Sequence, residues 1–342
     1  HEGTDEGTGK SYGFHGYWAK DFTSVDANVG TEADVRKLVD TAHAHGIRVL
    51  LDVVMNHTGP VTRTDTVWSE DWVRTGPQCT YKDAVTTVQC TLVANLPDIR
   101  TDSDKAVALP PQLVAKWKKE GRYEREVKEL DEFFKRTGYP RAPRYYLMKW
   151  HADWVRKYGF DGFRGDTVKH TEPGVWLELK KVAGDAHEEW KRANPKKKVS
   201  DDKFFMTSEV YNYSIGHGRK FDMGASNYLD CLANGFDSMI NFSFKEDVKG
   251  GYEKVFSSYS DQLNGPMKAH SVLSYLSSHA DGAPFDAMRA KPYESANLLL
   301  LSPGAAQVYY GDETARVLKH EGAQGDANLR TFMNWQDLAT NA

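Results

Sequence analysis

Residues 32–57 read EADVRKLVDTAHAHGIRVLLDVVMNH, and this stretch decides the fold class. In its first half, apolar residues recur every three or four positions, which predicts an amphipathic helix over 32–45 that ends at Gly46. Residues 47–55 are then almost all apolar and rich in β-branched side chains, which is typical of a strand buried on both faces of a parallel sheet. A helix that leads directly into a buried strand is the repeating unit of an α/β protein.

The same alternation continues toward the end of the chain. Further strands are predicted at 160–164, 204–208, 236–242, 272–276 and 307–310, and helices at 146–157, 175–193, 252–263 and 293–301. Repeated alternation predicts a parallel sheet, and this many units favour a (β/α)8 TIM barrel over an open sheet. We therefore expect an α/β protein of the TIM-barrel class.

One interval departs from the alternation. Between Asn56 and Arg144, about ninety residues contain no convincing βα unit, and because structureless loops of that length are rare, they predict a folded insertion. Residues 116–134 within it have the pattern of a charged helix. The predicted domains are 1–58 with barrel strands two and three, 59–145 as a small domain inserted after the third strand, and 146–342 with strands four to eight.

The start of the chain lacks a candidate for the first strand. No segment before His15 reads as the first of eight strands, so the first βα unit is expected to be missing. A barrel without that strand would leave backbone groups unpaired at its edges. We therefore expect an upstream segment or a second polypeptide to complete the sheet.

Composition excludes two classes of partner. Lysine and arginine total 44 and aspartate and glutamate total 48, so the formal charge is −4 and there is no basic field to recruit nucleic acid. The longest weakly polar stretch, residues 295–311, is interrupted by Pro303 and Gly304, so no segment reads as a membrane span. Aromatic residues make up 12% of the chain, which suits sugar stacking and core packing equally well.

The cysteines suggest a cellular compartment. Cys79 and Cys90 are eleven positions apart in a turn-rich stretch, and this spacing predicts a disulfide that closes a hairpin. Such a bond indicates an oxidising compartment, so we expect a periplasmic or secreted protein. Cys231 has no predicted partner and is expected to be a small buried apolar residue.

Polar residues follow the predicted strands at the end where a parallel barrel carries its chemistry. They are Asp52, Asn56 and His57 after one strand, Arg164, Asp166, Lys169 and His170 after the next, then Glu209, then His279, and finally Asp312, Glu313, Asp326 and Arg330. Two carboxylates on adjacent strands, with arginine and histidine side chains from several others, are hard to explain by structural roles alone.

Glycoside hydrolysis uses such a pair of carboxylates, one ionised and one protonated. Arg164 lies close to Asp166 and would keep it ionised, as a nucleophile requires. Glu209 ends an apolar run, where desolvation would raise its pKa and suit it to be the acid. A zinc hydrolase using His57, His170 and His279 is the competing interpretation, although no HExxH or HxH motif falls at a strand end.

In order along the chain, these residues resemble the motifs of the α-amylase family of glycoside hydrolases. The family's first four regions are similar to Asp52–His57, Gly162–His170, Glu209–Tyr211 and Ser277–His279, and the fifth is similar to Leu96–Asp98. His15–Trp18 resembles the lead-in after the second strand, and Gly304–Glu313 resembles the segment around the eighth. The resemblance covers nearly the whole chain and is nearest to bacterial periplasmic or secreted α-amylases.

The resemblance implies a role for each of these residues. Asp166 would be the nucleophile and Glu209 the general acid/base of a retaining mechanism, with Arg164 orienting Asp166. The subsite of the reacting glucose would be lined by Tyr17, His57, His279, Asp326 and Arg330, and the leaving-group side would be contacted by Lys169 and His170. Asn56, Asp98 and the backbone carbonyl of His170 would hold a structural Ca²⁺, a hard cation that takes oxygen ligands.

Two positions depart from the family pattern. The fourth region normally ends in His-Asp, whose aspartate is the third catalytic carboxylate, but here Ala280 follows His279. Asp281 is adjacent, yet consecutive strand residues point to opposite faces, so it is a poor substitute. We therefore expect a catalytically impaired variant at Ala280. Gly165 stands where a larger apolar residue is common, and this change should affect packing more than chemistry.

The sequence thus predicts a retaining α-1,4-glucan hydrolase that acts on starch, glycogen or maltooligosaccharides. Its partner would be an α-glucan, not nucleic acid or membrane. Two alternatives stay open. One is a cyclodextrin- or maltooligosaccharide-specific hydrolase or transglycosylase of the same family. The other is a glucan-binding relative that has lost catalysis.

Overall fold

The computed structural model describes residues 3–5, 9–11, 13–60, 68–93, 96–280 and 282–340. The chain forms two compact units. Unit 1 consists of His1–Glu209 and Asp222–Phe236, and unit 2 consists of Val210–Phe221 and Asp237–Ala342. Both units combine parallel strands with helices, as the sequence predicts for an α/β protein.

The secondary structure follows the predicted alternation. The strands are β1 (Gly3–Asp5), β2 (Gly9–Ser11), β3 (Leu50–Val54), β4 (Val73–Arg74), β5 (Asp98–Ile99), β6 (Gly162–Asp166), β7 (Phe205–Ser208), β8 (Phe221–Asp222), β9 (Tyr228–Leu229), β10 (Ser238–Asn241), β11 (Ser271–Ser274) and β12 (Ala305–Ala306). The helices are α1 (Glu32–Ala44), α2 (Val85–Val88), α3 (Pro111–Lys119), α4 (Tyr123–Thr137), α5 (Pro143–Tyr158), α6 (Pro173–Ala193), α7 (Phe244–Asp247), α8 (Tyr252–Asn264), α9 (Pro292–Leu300) and α10 (Trp335–Thr340).

Unit 1 is built on the parallel strands β3, β6 and β7. Leu50 pairs with Gly162, and Gly162 pairs with Phe205, so the three strands begin level with one another. Helices α5 and α6 pack against each other in the same unit. Because the strands run in the same direction and start together, the residues at their carboxyl ends meet at one edge of the sheet.

Unit 2 contains a second parallel set, β10, β11 and β12. Ser238 pairs with Ser271, and Leu273 pairs with Ala305. The predicted strand at 307–310 is wrong in position, because the strand that forms, β12, is Ala305–Ala306 and ends before residue 307. The chain leaves the sheet after Gln307 and turns, and the Asp312 amide donates to the Tyr309 carbonyl at 2.8 Å.

The predicted single helix at 116–134 is also wrong, because two helices occupy this region. Helix α3 ends at Lys119 and α4 begins at Tyr123. Gly121 lies between them with φ +69°, a left-handed conformation that side-chain-bearing residues rarely adopt. The sequence pattern of charged and apolar residues runs through the break, so periodicity alone did not reveal it.

Most of the tryptophans lie in the core. Trp72, Trp117, Trp150 and Trp176 are among the largest fully buried side chains, and all lie in unit 1. The predicted disulfide between Cys79 and Cys90 is confirmed, and Cys231 is a buried free cysteine. No helix among the described residues is long and apolar enough to cross a membrane.

The beginning of the chain carries two short strands. β1 and β2 pair with each other in antiparallel fashion, with Gly3 opposite Ser11. The upstream segment or second polypeptide expected from the sequence stays a prediction, and so do the domain boundaries at 58 and 145.

Candidate active site

The register of unit 1 aligns the predicted site residues. Asp52 of β3 is the direct partner of Arg164 of β6, so the two side chains leave the sheet side by side. Asp166 lies two residues beyond Arg164 and therefore on the same face of the strand. Glu209 follows the last residue of β7, and its amide donates to the Gly165 carbonyl at 2.9 Å. Strand pairing alone thus brings four ionisable side chains together.

Arg164 is the centre of this group. Its Nη1 donates to Asp166 Oδ1 at 2.7 Å and to Asp52 Oδ1 at 2.8 Å, and its Nη2 lies 4.0 Å from Glu209 Oε2. The same Nη1 lies 3.3 Å from the Tyr17 hydroxyl. One largely enclosed guanidinium, with its side chain 14% exposed, therefore faces three carboxyl groups, and it cannot neutralise all of them.

Glu209 is the carboxyl group that this arrangement leaves least compensated. Its side chain is buried, and burial together with the nearby negative charge of Asp166 raises its pKa to about 7. Its Oε2 accepts one hydrogen bond from the Thr167 amide at 2.7 Å. Thr167 has φ +48°, a strained conformation for a residue with a side chain, which aims the amide at Glu209. Such a group exchanges protons near neutral pH.

Gly165 is explained by packing. A Cβ built at this position would lie 3.0 Å from Trp176 Cζ3 and Val168 Cγ2, and 3.1 Å from Phe236 Cε1. A larger residue therefore requires these neighbours to move. This geometry agrees with the expectation that the departure at Gly165 concerns packing.

Tyr17 and His57 lie on the Asp52 side of the site. The Tyr17 hydroxyl donates to Asp52 Oδ2 at 2.7 Å, and the Arg164 guanidinium carbon lies 5.6 Å from the Tyr17 ring centroid. His57 is buried beside the Tyr17 backbone, and burial lowers its pKa to about 4. It is therefore a neutral hydrogen-bonding group at pH 7.

Lys169 and His170 follow β6 on the Glu209 side. Lys169 Nζ lies 5.7 Å from the Tyr81 ring centroid, and burial lowers the pKa of this lysine. The His170 Nδ1 is 2.8 Å from the Thr87 carbonyl, so the loop closed by the disulfide holds this ring. Tyr81 was not predicted as a site residue, and no signal in the sequence distinguished it from the other tyrosines.

Three oxygen-bearing groups converge beside His57. The Asn56 amide lies 3.0 Å from Asp98 Oδ1 and 2.7 Å from the His170 carbonyl oxygen. The Asn56 side chain can turn either its oxygen or its nitrogen toward Asp98 and the His170 carbonyl. With the oxygen toward them, the three oxygens form a set of the kind that Ca²⁺ prefers. With the nitrogen toward them, Asn56 donates a hydrogen bond to each. Burial raises the pKa of Asp98 to about 9, although Arg74 Nε lies 3.3 Å from Asp98 Oδ2. The donor set therefore fits a hard cation.

The zinc alternative requires a different grouping. Within the part of the chain that the structure describes, no three histidine, cysteine, aspartate or glutamate side chains form a group able to hold a metal ion. His57, His170 and His279 are therefore not a three-histidine centre among these residues.

The remaining predicted residues belong to unit 2. Arg330 Nε donates to the His279 carbonyl at 3.0 Å, whereas Asp326 is exposed in a short 3₁₀ helix. Ala280 is also exposed, and its amide lies 3.5 Å from Ser278 Oγ. Asp281, considered above as a substitute carboxylate, lies outside the described residues.

Asp52 lies at the end of a predicted strand, and the sequence assigns it no role. Its direct pairing with Arg164 and its bond from Tyr17 make it part of the central group. Inter-strand register supplies this information, and register is not visible in a single strand's pattern.

These features define a class of protein, namely an α/β protein whose carboxylates surround one arginine at the carboxyl ends of parallel strands. A family model described as the catalytic domain of α-amylase matches residues 5–340. The chain therefore belongs to the α-amylase family, and the predicted family and α/β fold class are confirmed.

Individual relatives agree with this assignment. The periplasmic α-amylase of Escherichia coli (strain K12) is 35% identical over 98% of this chain and 53% of its own length. A cyclomaltodextrinase of Bacillus sp is 27% identical over 94% of this chain and 50% of its own length. The α-amylase of Geobacillus thermoleovorans, solved with acarbose, has a TM-score of 0.63 at 20% identity, covering 96% of this chain and 63% of that one. The chain spans about half the length of these curated relatives.

Proposed function

We propose that this chain is the catalytic part of a retaining α-1,4-glucan hydrolase that acts on starch, glycogen or maltooligosaccharides. The observation that carries the proposal is the asymmetry around Arg164. Asp166 makes a 2.7 Å ion pair with the guanidinium, whereas Glu209 lies 4.0 Å from it with a pKa raised to about 7. One ionised and one protonated carboxyl group are the two reagents of this reaction.

The first step uses both groups at once. The Asp166 carboxylate attacks the anomeric carbon, and the bond between that carbon and the glycosidic oxygen breaks. Glu209 donates its proton to the departing oxygen, so the leaving glucan is released as an alcohol. The Arg164 guanidinium, 2.7 Å from Asp166 Oδ1, holds the attacking carboxylate in place.

The second step reverses the roles. Glu209, now a carboxylate, accepts a proton from water, and the water oxygen bonds to the anomeric carbon. The bond to Asp166 breaks, which regenerates its carboxylate and leaves Glu209 protonated. Two displacements on opposite faces return the product with its original configuration. Tyr17 and the neutral His57 would bind the reacting ring on the Asp52 side, and Lys169 with His170 would contact the leaving-group side.

The fit of Asn56, Asp98 and the His170 carbonyl to a hard cation supports a structural Ca²⁺. When bound, the ion would supply positive charge that compensates the buried Asp98 carboxylate and would join β5 to the segments after β3 and β6. It takes no part in bond breaking.

Ala280 is the position at which the chain departs from the family's third carboxylate, and we infer that the chain is catalytically impaired there. The test is maltoheptaose hydrolysis by the chain and by its Ala280→Asp variant. We expect kcat/KM to rise by about 100-fold or more, since each tenfold corresponds to about 1.36 kcal/mol of transition-state stabilisation. An unchanged rate in a folded variant would contradict the impairment at this position.

The likeness to a cyclomaltodextrinase supports a second substrate class within the same chemistry. Comparing kcat/KM of the Ala280→Asp variant on β-cyclodextrin and on maltoheptaose decides between the two substrate classes, because a cyclodextrin-specific enzyme prefers the cyclic substrate.

The disulfide between Cys79 and Cys90 supports a periplasmic or secreted location, where such bonds persist.

A further inference from the structure

Asp21 lies four residues after Tyr17 and is the most heavily bonded carboxylate near it. Its side chain is only 5% exposed. It accepts hydrogen bonds from the Thr23 amide at 2.8 Å, from Ser24 Oγ at 2.9 Å and from Arg122 Nη2 at 2.7 Å, and it also pairs with Lys116 Nζ. Burial alone raises its pKa, but the hydrogen bonds from Lys116 and Thr23 outweigh burial and hold the pKa at about 2. Asp21 is therefore ionised throughout the neutral range.

Both cations come from the helix pair α3 and α4. Lys116 lies in α3, and Arg122 is the residue immediately before α4. Arg122 also donates to Glu126 Oε1 at 3.1 Å, and its guanidinium lies 5.5 Å from the Trp117 ring centroid. These contacts hold Arg122 independently of Asp21, and Lys116 Nζ also lies 3.4 Å from Glu120 Oε1, so the carboxylate meets two cations that have other partners in this helix pair.

The backbone between Tyr17 and Asp21 is held at further points. The Gly59 amide donates to the Ala19 carbonyl at 3.3 Å, and Trp154 Nε1 donates to the Phe22 carbonyl at 2.8 Å. The Phe22 ring stacks against Trp150 with centroids 6.2 Å apart. The segment 17–24 is thus held on both sides of Asp21, and Asp21 supplies its charged contacts with Lys116 and Arg122.

We propose that Asp21 is a positioning residue that clamps segment 17–24 to helices α3 and α4, so that Tyr17 is held in place to bind a glucose ring. The inference rests on the proposed function, because it assumes that Tyr17 contacts a glucan. The insertion predicted at 59–145 thus contributes to substrate binding through Lys116 and Arg122, although neither residue belongs to the group around Arg164.

The test is maltoheptaose binding, measured by calorimetry on the full chain and on its Asp21→Asn variant. Asparagine has nearly the same shape but removes the charge that both cations require. We expect Kd to rise about tenfold, because displacement of a binding group by about 1 Å has effects of this order or larger. The matched control is Asp131→Asn in α4, which removes an exposed ion pair with Arg141 and should leave Kd unchanged.

A double substitution separates positioning from general stability. In a Tyr17→Ala background, Asp21→Asn should cause no further loss of affinity, because the group that it positions is absent. Losses that multiply in the double variant would mean a merely structural role and would overturn the proposal. If the unmodified chain binds maltoheptaose and the Asp21→Asn variant binds it with the same Kd, the positioning role is overturned, whereas the proposed function stands.

The helix side of the clamp gives a milder second test. Lys116→Met should weaken binding, and Lys116→Arg, which keeps the charge, should restore most of it. If Asp21→Asn does not fold, the comparison of Lys116→Met with Lys116→Arg tests the positioning role instead. Equal affinity for maltoheptaose in these two variants would contradict that role. Absence of binding by the unmodified chain and by Ala280→Asp would overturn the proposed function, and the inference with it.

Discussion

The two ends of strands β3, β6 and β7 carry buried carboxylates in opposite situations. At the amino end, three groups that can donate a proton surround the Asp161 carboxylate. His43 Nε2 lies 2.8 Å from its Oδ2, the Val49 amide donates to the same oxygen at 2.8 Å, and His187 Nε2 lies 3.7 Å from its Oδ1. Burial raises the pKa of Asp161, but the nearby His187 ring and the hydrogen bonds with Val49 and His43 outweigh burial and lower the pKa overall.

At the carboxyl end the carboxyl groups outnumber their partners, because one guanidinium faces three carboxyl groups. Arg164 forms short contacts with Asp52 and Asp166 and leaves Glu209 at 4.0 Å with a raised pKa. The comparison teaches that burial alone does not make a carboxylate reactive. A satisfied carboxylate stabilises the fold, whereas Glu209, whose nearest Arg164 nitrogen is 4.0 Å away, keeps a raised pKa, and acid/base chemistry uses a group of this kind.

The largest expected effect is the loss of activity on removing the nucleophile at the carboxyl end. In the Ala280→Asp background, Asp166→Asn should lower kcat/KM for maltoheptaose by about 10⁴-fold, or roughly 5.4 kcal/mol, because the first displacement cannot occur. The matched control at the amino end is Asp161→Asn, which should change kcat/KM by less than about threefold under conditions where it is folded. Equal losses in both variants would break the distinction between the two ends.

The amino end should instead show its effect in stability. Asp161→Asn removes a buried, charge-assisted partner of His43 and should lower the free energy of unfolding by about 3–5 kcal/mol. Because the folded pKa of Asp161 is depressed below 3.8, its contribution is complete above that value and is lost as the pH falls through the folded pKa. Urea denaturation between pH 3 and pH 7 checks this. A variant as stable as the parent at pH 7 would contradict a structural role.

Removal of the cation should have an intermediate effect. Chelation should lower the melting temperature, because an ion present at 100 times its Kd stabilises the folded state by about 2.7 kcal/mol. Thermal denaturation with EDTA, and again after adding Ca²⁺, measures the difference. Asp98→Asn should abolish the response, whereas Asp161→Asn should retain it. A melting temperature indifferent to EDTA in the parent protein would count against the site formed by Asn56, Asp98 and His170.

The smallest effect is a gain of stability at the carboxyl end. The pKa of Glu209 is raised from 4.5 to about 7, so ionisation costs stability as the pH rises between these values. Glu209→Gln should therefore stabilise the fold at pH 8 by about 1–3 kcal/mol and have no such effect at pH 4, while abolishing most activity. Melting temperatures at the two pH values measure this, and a variant less stable than the parent at pH 8 would refute the raised pKa.

The sequence predicted the strands and helices whose local pattern of apolar residues matches the element that forms. The apolar runs at 47–55 and 204–208 became β3 and β7, but the expected burial of the first run on both faces is wrong: in β3 only Val53 and Val54 are buried, whereas Leu50 is exposed. Errors arose where one residue's conformation overrides a periodic pattern. Gly121 divides the predicted helix 116–134, and the turn at Tyr309 moves the last strand toward the amino terminus.

The candidate site was predictable to the extent that strand ends and family motifs revealed it. Asp166, Glu209 and Arg164 were named from those signals, and the structure brings them together. The partnership of Asp52 with Arg164 and the clamp at Asp21 were not predictable, since they depend on inter-strand register and on contacts between segments nearly one hundred residues apart. The catalytic roles themselves stay predictions.

The stereochemistry of the product tests the central claim most directly. Hydrolysis of maltoheptaose by the Ala280→Asp variant, followed by proton NMR from the first minutes, reports which anomer forms before mutarotation. With Asp166 as nucleophile and Glu209 as acid and base, the first product is the α-anomer. A β-anomer formed first would mean direct attack by water and would contradict the assignment of Asp166.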